Sequence, residues 1–198
     1  MTVSLLAQPW WVNLLLLVPI LFFLYWRRKT LALGGTQLVY SGLFAAAFGF
    51  MEAVVVVYLR AMLAQVSGYG ADLEAVARIS ADFTLHPQNV AAFPPGILRI
   101  EAYREAATIL MLAAVALLTV PRRRERWAIF LWCFALWDLV YYAGLWATLR
   151  WPASPGTPDI LFLIPVPWVA QVWLPITVSL LTIAAVLAGT LRHKPSEN

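Results

Sequence analysis

The chain is patterned in long apolar runs separated by short polar or proline-rich stretches. A helix that crosses a bilayer needs about 20 mostly apolar residues. Five runs meet or approach that length: about 10–26, 38–63, 98–120, 127–149 and 167–191. The first is short and contains Pro19, but Trp10, Trp11 and Trp26 stand at its ends as interface anchors. Pro121 stops the third. The pattern predicts an all-α integral membrane protein, a five-helix transmembrane bundle formed by one membrane domain over 1–198.

Two connecting segments depart from simple loops. Residues 64–97 are long and mildly polar, with a weak helical pattern over Asp72–Phe83 that could lie along the surface. Residues 150–166 open a proline-rich region, since six of the 13 prolines fall between Pro152 and Pro175. Within it, Asp159–Ile164 is strongly apolar and too short to cross, so it reads as a re-entrant or interfacial segment.

Composition agrees with the pattern. Hydrophobic residues make up 62% of the 198 and charged residues 12%, whereas soluble domains are about 45–50% apolar and about 25% charged. The net charge of +4 does not imply nucleic-acid binding, because the basic residues gather at the ends of apolar runs. Arg27, Arg28, Lys29, Arg122, Arg123, Arg124, Arg126, Arg192 and Lys194 would share one side of the membrane. The other five of the 14 basic residues are Arg60, Arg78, Arg99, Arg104 and Arg150. This bias predicts an N-terminus outside and a C-terminus inside, in a bacterial inner or other plasma membrane. The basic cluster follows the first apolar run rather than preceding it, the reverse of a cleavable signal.

Several chemistries are poorly served. Cys133 is the one cysteine and His86 and His193 lie far apart, so no disulfide framework, Cys-based zinc site or HxxxH pair exists. Gly34-Gly35 lacks the Lys-Ser/Thr of a phosphate loop. No internal repeat is visible, which weakens a large-transporter reading. The tryptophans read mainly as interface anchors, with Trp146 and Trp151 in the outer belt.

The informative residues are ionisable groups inside the runs. An Asp, Lys or Arg at a helix centre costs about 2.5–3.5 kcal/mol to insert, so such groups face protein and often mark function. In the second run Glu52 and Arg60 lie about 80° apart at helical pitch. Ser41, Gly42, Ala45 and Gly49 share that side and would let a neighbour approach closely. In the third, Glu101, Arg104, Glu105 and Thr108 share one face. In the fourth, Asp138 is central, with Tyr141 and Tyr142 one turn outward as partners for a buried carboxylate. The fifth offers Gln171, Ser179 and Thr182.

The predicted site is therefore Glu52, Arg60, Glu101, Arg104, Glu105, Asp138, Tyr141 and Tyr142, with Asp159 as a lid residue. Helices two, three and four form its polar heart, helix one lies at the periphery, and the proline-rich segment caps it from outside. A Glu52–Arg60 salt bridge is the structural counter-reading for that pair. Four acids in the spans face two arginines. A proton, a cation, Arg99 or a basic ligand must compensate, or one carboxyl stays protonated.

Three functions follow. The first is binding or translocation of a proton, cation or small polar solute, with Thr119 and Thr182 continuing a path inward. The second is a structural or assembly subunit of a membrane complex. The third is an intramembrane enzyme acting on a lipid or isoprenoid-like substrate. No cofactor is implied, although a hard cation could sit among the carboxylates. The expected partners are the lipid bilayer and either further copies of the chain or a larger membrane complex.

Overall fold

The computed structural model describes residues 6–66, 72–82 and 95–191. Five of its helices are long and apolar enough to span a membrane. A 3₁₀ segment, Trp10–Leu16, runs into α1, Leu17–Arg28. Then follow α2 (Gly35–Val66), a short α3 (Leu73–Asp82), α4 (Pro95–Thr119) and α5 (Arg123–Leu149). A β-hairpin of β1 (Pro158–Phe162) and β2 (Trp168–Gln171) leads into α6, Trp173–Leu191. His86 and the Arg192–Asn198 tail lie outside the described residues.

Prolines set several of these boundaries. Pro19 falls in the first turn of α1, where its missing N–H removes no α-helical bond, and the chain changes there from 3₁₀ to α. Pro175 occupies the first turn of α6 for the same reason. The helix α5 ends at Arg150, a left-handed residue with φ 55° whose N–H returns to the Trp146 carbonyl at 2.9 Å. The Arg150 guanidinium lies over the exposed Trp146 ring, 4.4 Å from its centroid.

The helix α5 is the hub. It packs along α2 most extensively and also meets α4 and α6, while α1 packs on α6. The α2–α5 contact depends on small residues. A side chain on Gly49 would strike the Trp137 backbone carbonyl, and one on Gly42 would meet Leu136 and Trp132 at 3.1 and 3.2 Å. Ser41 and Ala45 are buried in the same seam.

At the end where α1 finishes and α5 begins, an apolar cluster fills the bundle. It contains Trp26, Leu31, Leu112, Ile129, Cys133 and Val186. Leu31 donates its N–H to the Gly189 carbonyl at 3.0 Å. Trp26 is therefore a core residue and not an interface anchor. Glu125, 2% exposed, faces the α1–α2 connection from the same end. Its Oε1 accepts from Arg124 at 2.7 Å and from the Ala32 N–H at 3.4 Å.

The opposite end carries the hairpin. Pro158 pairs with Gln171, Asp159 with Ala170 and Ile160 with Val169, and a bulge then shifts the register so that Phe162 meets Trp168. Gln8 exchanges two hydrogen bonds with Val169, at 2.8 and 2.7 Å, and so extends the ladder beyond β2. This corrects the reading of 167–191 as one span and of 150–166 as a loop. Residues 168–171 are a strand, and the last helix starts at Trp173. The short apolar stretch meets its backbone needs by pairing, since an unpaired strand in an apolar setting leaves donors and acceptors unsatisfied. The helix within the long connection is present as α3. Asp72 Oδ1 caps it at the Ala75 N–H, 2.7 Å away, and Ala75, Val76 and Ser80 are buried.

Candidate functional site

A single cavity of about 140 Å³ is lined by every residue that the sequence singles out: Glu52, Arg60, Glu101, Arg104, Glu105, Asp138, Tyr141, Tyr142 and Asp159. They come from α2, α4, α5 and β1. Thr108, Trp137 and Leu161–Leu163 complete much of the wall.

Arg104 is the central cation. Its Nη1 pairs with Glu52 Oε1 across the α2–α4 contact. Its Nη2 and Nε reach Glu101 Oε2 on its own helix at 2.7 and 2.8 Å. Thr108, one turn further along α4, reaches Glu52 Oε2 at 3.5 Å. In place of the Glu52–Arg60 salt bridge of the structural counter-reading stands a Glu52–Arg104–Glu101 clamp. Arg60 lies two turns along α2, and its guanidinium stacks over Trp151, 4.1 Å from the ring centroid. Trp151 is 3% exposed, so it is a buried platform and not a belt residue.

The other carboxylates are held mainly by neutral donors. Glu105 accepts the Leu163 backbone N–H at 2.8 and 3.1 Å, which ties the hairpin loop to α4. Asp138 accepts the Ser179 hydroxyl of α6 at 2.8 Å, so Ser179 takes the place expected of a tyrosine. Tyr142 donates instead to Asp159 Oδ2 at 2.8 Å, and the Ile160 N–H reaches Asp159 Oδ1 at 2.9 Å. Tyr141 stacks on Trp137, with centroids 6.1 Å apart.

Asp159 lies outside the five spans. Burial pushes its carboxyl above the ordinary range, against the opposing pull of the Arg60 charge, the Tyr142 hydroxyl and the Ile160 N–H. The folded protein therefore favours protonated Asp159. Its contribution to stability is full at acid pH and is lost as pH rises through the raised value. Asp159→Asn keeps an acceptor for Tyr142 and cannot ionise. Its unfolding temperature relative to the parent should rise as pH increases from the ordinary carboxylate range through the raised value, and level off above it. A pH-independent difference would contradict this account.

Further along α4 and α6 the polar positions are hydroxyls. Beyond Thr108 and Ser179 the hydroxyls of Thr119 and Thr182 turn back to the Val115 and Val178 carbonyls, at 2.6 and 2.7 Å. Each of these hydroxyls thus spends its donor on its own helix. Among the described residues, no three His, Cys, Asp or Glu side chains converge closely enough to hold a metal ion. Five carboxylates and two guanidiniums are instead spread around one wall. Sequence reasoning did not single out Trp137, Trp151 or the Leu163 N–H as parts of this site. It noted Ser179 as a polar position on the last span without assigning it a partner.

No protein-family model, no curated protein and no solved structure matches the chain.

Proposed function

We propose that this multi-pass membrane chain binds a cationic or polar solute in the cavity between α2, α4, α5 and the hairpin, and retains it at that end. One observation carries the reading: five carboxylates and two guanidiniums from separate elements line one cavity. Arg104 neutralises one of the two acids that it touches, and the Arg60 charge acts on Asp159. Glu105 and Asp138 form no ion pair among the described residues, each being bonded to a neutral donor, although the Arg104 charge also acts on Glu105. In a medium of low dielectric, that surplus favours a proton or a positively charged guest.

Retention is favoured over passage because the other half of the bundle is packed with apolar side chains. The basic residues Arg27, Arg28, Arg122, Arg123, Arg124 and Arg126 lie at that packed end. The positive-inside tendency supports placing it in the cytoplasm, with the hairpin on the outer face of a plasma membrane. A structural role in a larger assembly is the second reading, favoured by the Glu52–Arg104–Glu101 clamp that fastens α2 to α4.

The test uses purified protein in lipid nanodiscs with ethylammonium as probe. Glu105→Gln and Asp138→Asn should each weaken binding about tenfold to a hundredfold, the loss of one charge-assisted hydrogen bond. Glu125→Gln, at the far end, should leave it unchanged. Proteoliposomes should bind the probe without passing it. Binding by the parent that neither cavity variant alters would refute the site.

A further inference from the structure

A second cavity, of about 370 Å³, lies against the first, among the 3₁₀ segment, α1, α4, α5, α6 and the hairpin. Apolar side chains dominate its wall, Ile109, Phe130, Phe134 and Val178 among them. Glu105, Asp138, Leu161 and Phe162 border both cavities. The two carboxylates that form no ion pair among the described residues therefore stand where the polar space meets the apolar one.

Two donors in the polar wall point to the rest of the guest. Arg60 and Trp137 are 6% and 7% exposed, and Arg60 Nη1 and Trp137 Nε1 have no hydrogen-bond partner among the described residues. A buried donor left without an acceptor costs about 1–3 kcal/mol, so a guest that brings oxygen atoms offsets a standing penalty. Both residues border the polar cavity and neither borders the apolar one. They therefore lie on the polar side of the junction, whereas Trp168 Nε1, also without a partner among the described residues, belongs to the apolar wall.

We infer that the guest is an amphiphile whose groups follow a fixed order. An aliphatic chain lies in the apolar cavity, an ammonium at Glu105 and Asp138, and an oxygen-bearing group beyond it faces Arg60 and Trp137. The inference rests on the cation-binding reading of the polar cavity and adds the chain and the order. A chain that arrives from lipid leaves one hydrocarbon environment for another. Its contribution is close packing against Phe130, Phe134 and Val178, and that packing is sensitive to cavity shape.

The experiment compares ethylammonium, decylammonium and 2-amino-1-decanol, whose hydroxyl sits on the terminal carbon beyond the amine-bearing one, so that chain, ammonium and oxygen follow the proposed order. All are measured on the protein in nanodiscs, where partition into lipid is common to parent and variants. Ala106→Phe and Ile109→Trp, both on α4, are independent ways of filling the apolar cavity. Each should weaken decylammonium about tenfold, the effect of overpacking a formed space, and leave ethylammonium unchanged. The amino alcohol should bind more tightly than decylammonium, and Trp137→Phe, which keeps an aromatic ring and removes the N–H, should reduce that preference. Equal behaviour of ethylammonium and decylammonium in both filled variants would overturn the chain assignment while leaving the polar site standing. Absence of any preference for the amino alcohol would overturn the order. Failure of the parent to bind even ethylammonium would instead refute the reading on which the inference rests.

Discussion

Arg104→Gln is expected to destabilise the folded protein by about 3–5 kcal/mol, the cost of removing one partner from a buried ionic pair. Two carboxylates, Glu52 on α2 and Glu101 on α4, converge on this one guanidinium. Without it they face each other with little water to screen them. The single change therefore adds a repulsion as well as removing an attraction. Combining it with Glu52→Gln should recover part of the loss, because it removes the repulsion between the two carboxylates while leaving Glu101 without its partner. Equilibrium unfolding of the purified single and double variants measures this directly. A silent Arg104→Gln would mean that the clamp contributes nothing to stability and would remove the structural reading. A large loss with recovery, accompanied by unaltered ethylammonium binding, would favour that reading over the binding one.

Gly49→Val should have an effect of similar size by a different route. The substituted side chain would meet the Trp137 main-chain carbonyl, and a backbone atom cannot rotate aside. The helices α2 and α5 must then separate at the level of Trp137 and Asp138. Overpacking of a formed core costs about 1–3 kcal/mol, and a rigid obstacle puts this position at about 3 kcal/mol. Gly144→Ala is the informative comparison. There the new methyl meets the Ala53 Cβ at 2.9 Å and the Phe50 ring at 3.3 Å, both side-chain atoms on α2. Gly144→Ala should cost less than Gly49→Val. Gly49→Val should also weaken ethylammonium binding, since it displaces Asp138 relative to Glu52. Monodisperse yield and unfolding midpoint test the first point, and titration of whatever folds tests the second. A Gly49→Val protein as stable as its parent would show that the seam tolerates separation.

The five spans were legible because their signal is one of length and hydropathy, and both survive without knowledge of the neighbours. The membership of the cavity was legible for a related reason. An ion in hydrocarbon has few stable places, so Glu52, Arg104 and Asp138 had to turn toward one another. Pairing was not legible. Angular position on a helix tells which face a residue occupies but not which level of the next helix it meets. That level is set by contacts such as Gly49 on Trp137. Arg104 therefore took Glu52, which only the structural counter-reading had paired with Arg60, and Ser179 took the carboxylate given to the tyrosines. The hairpin was hidden for another reason. Its second strand is apolar and runs directly into α6, so it extended the hydropathy of the last span without a break. Glu125 was masked by the arginines around it, which read as an orientation signal.

The hydrogen bonds between Gln8 and Val169 join regions that emerge far apart in time during synthesis. Segments made early wait for those made late, and contacts between remote parts of a chain close slowly. Gln8 cannot find its strand partner until β2 has been made. The cover over the cavity is therefore a late product of biogenesis, and a nascent chain halted before the final hairpin would present its acidic wall uncovered to the quality-control machinery.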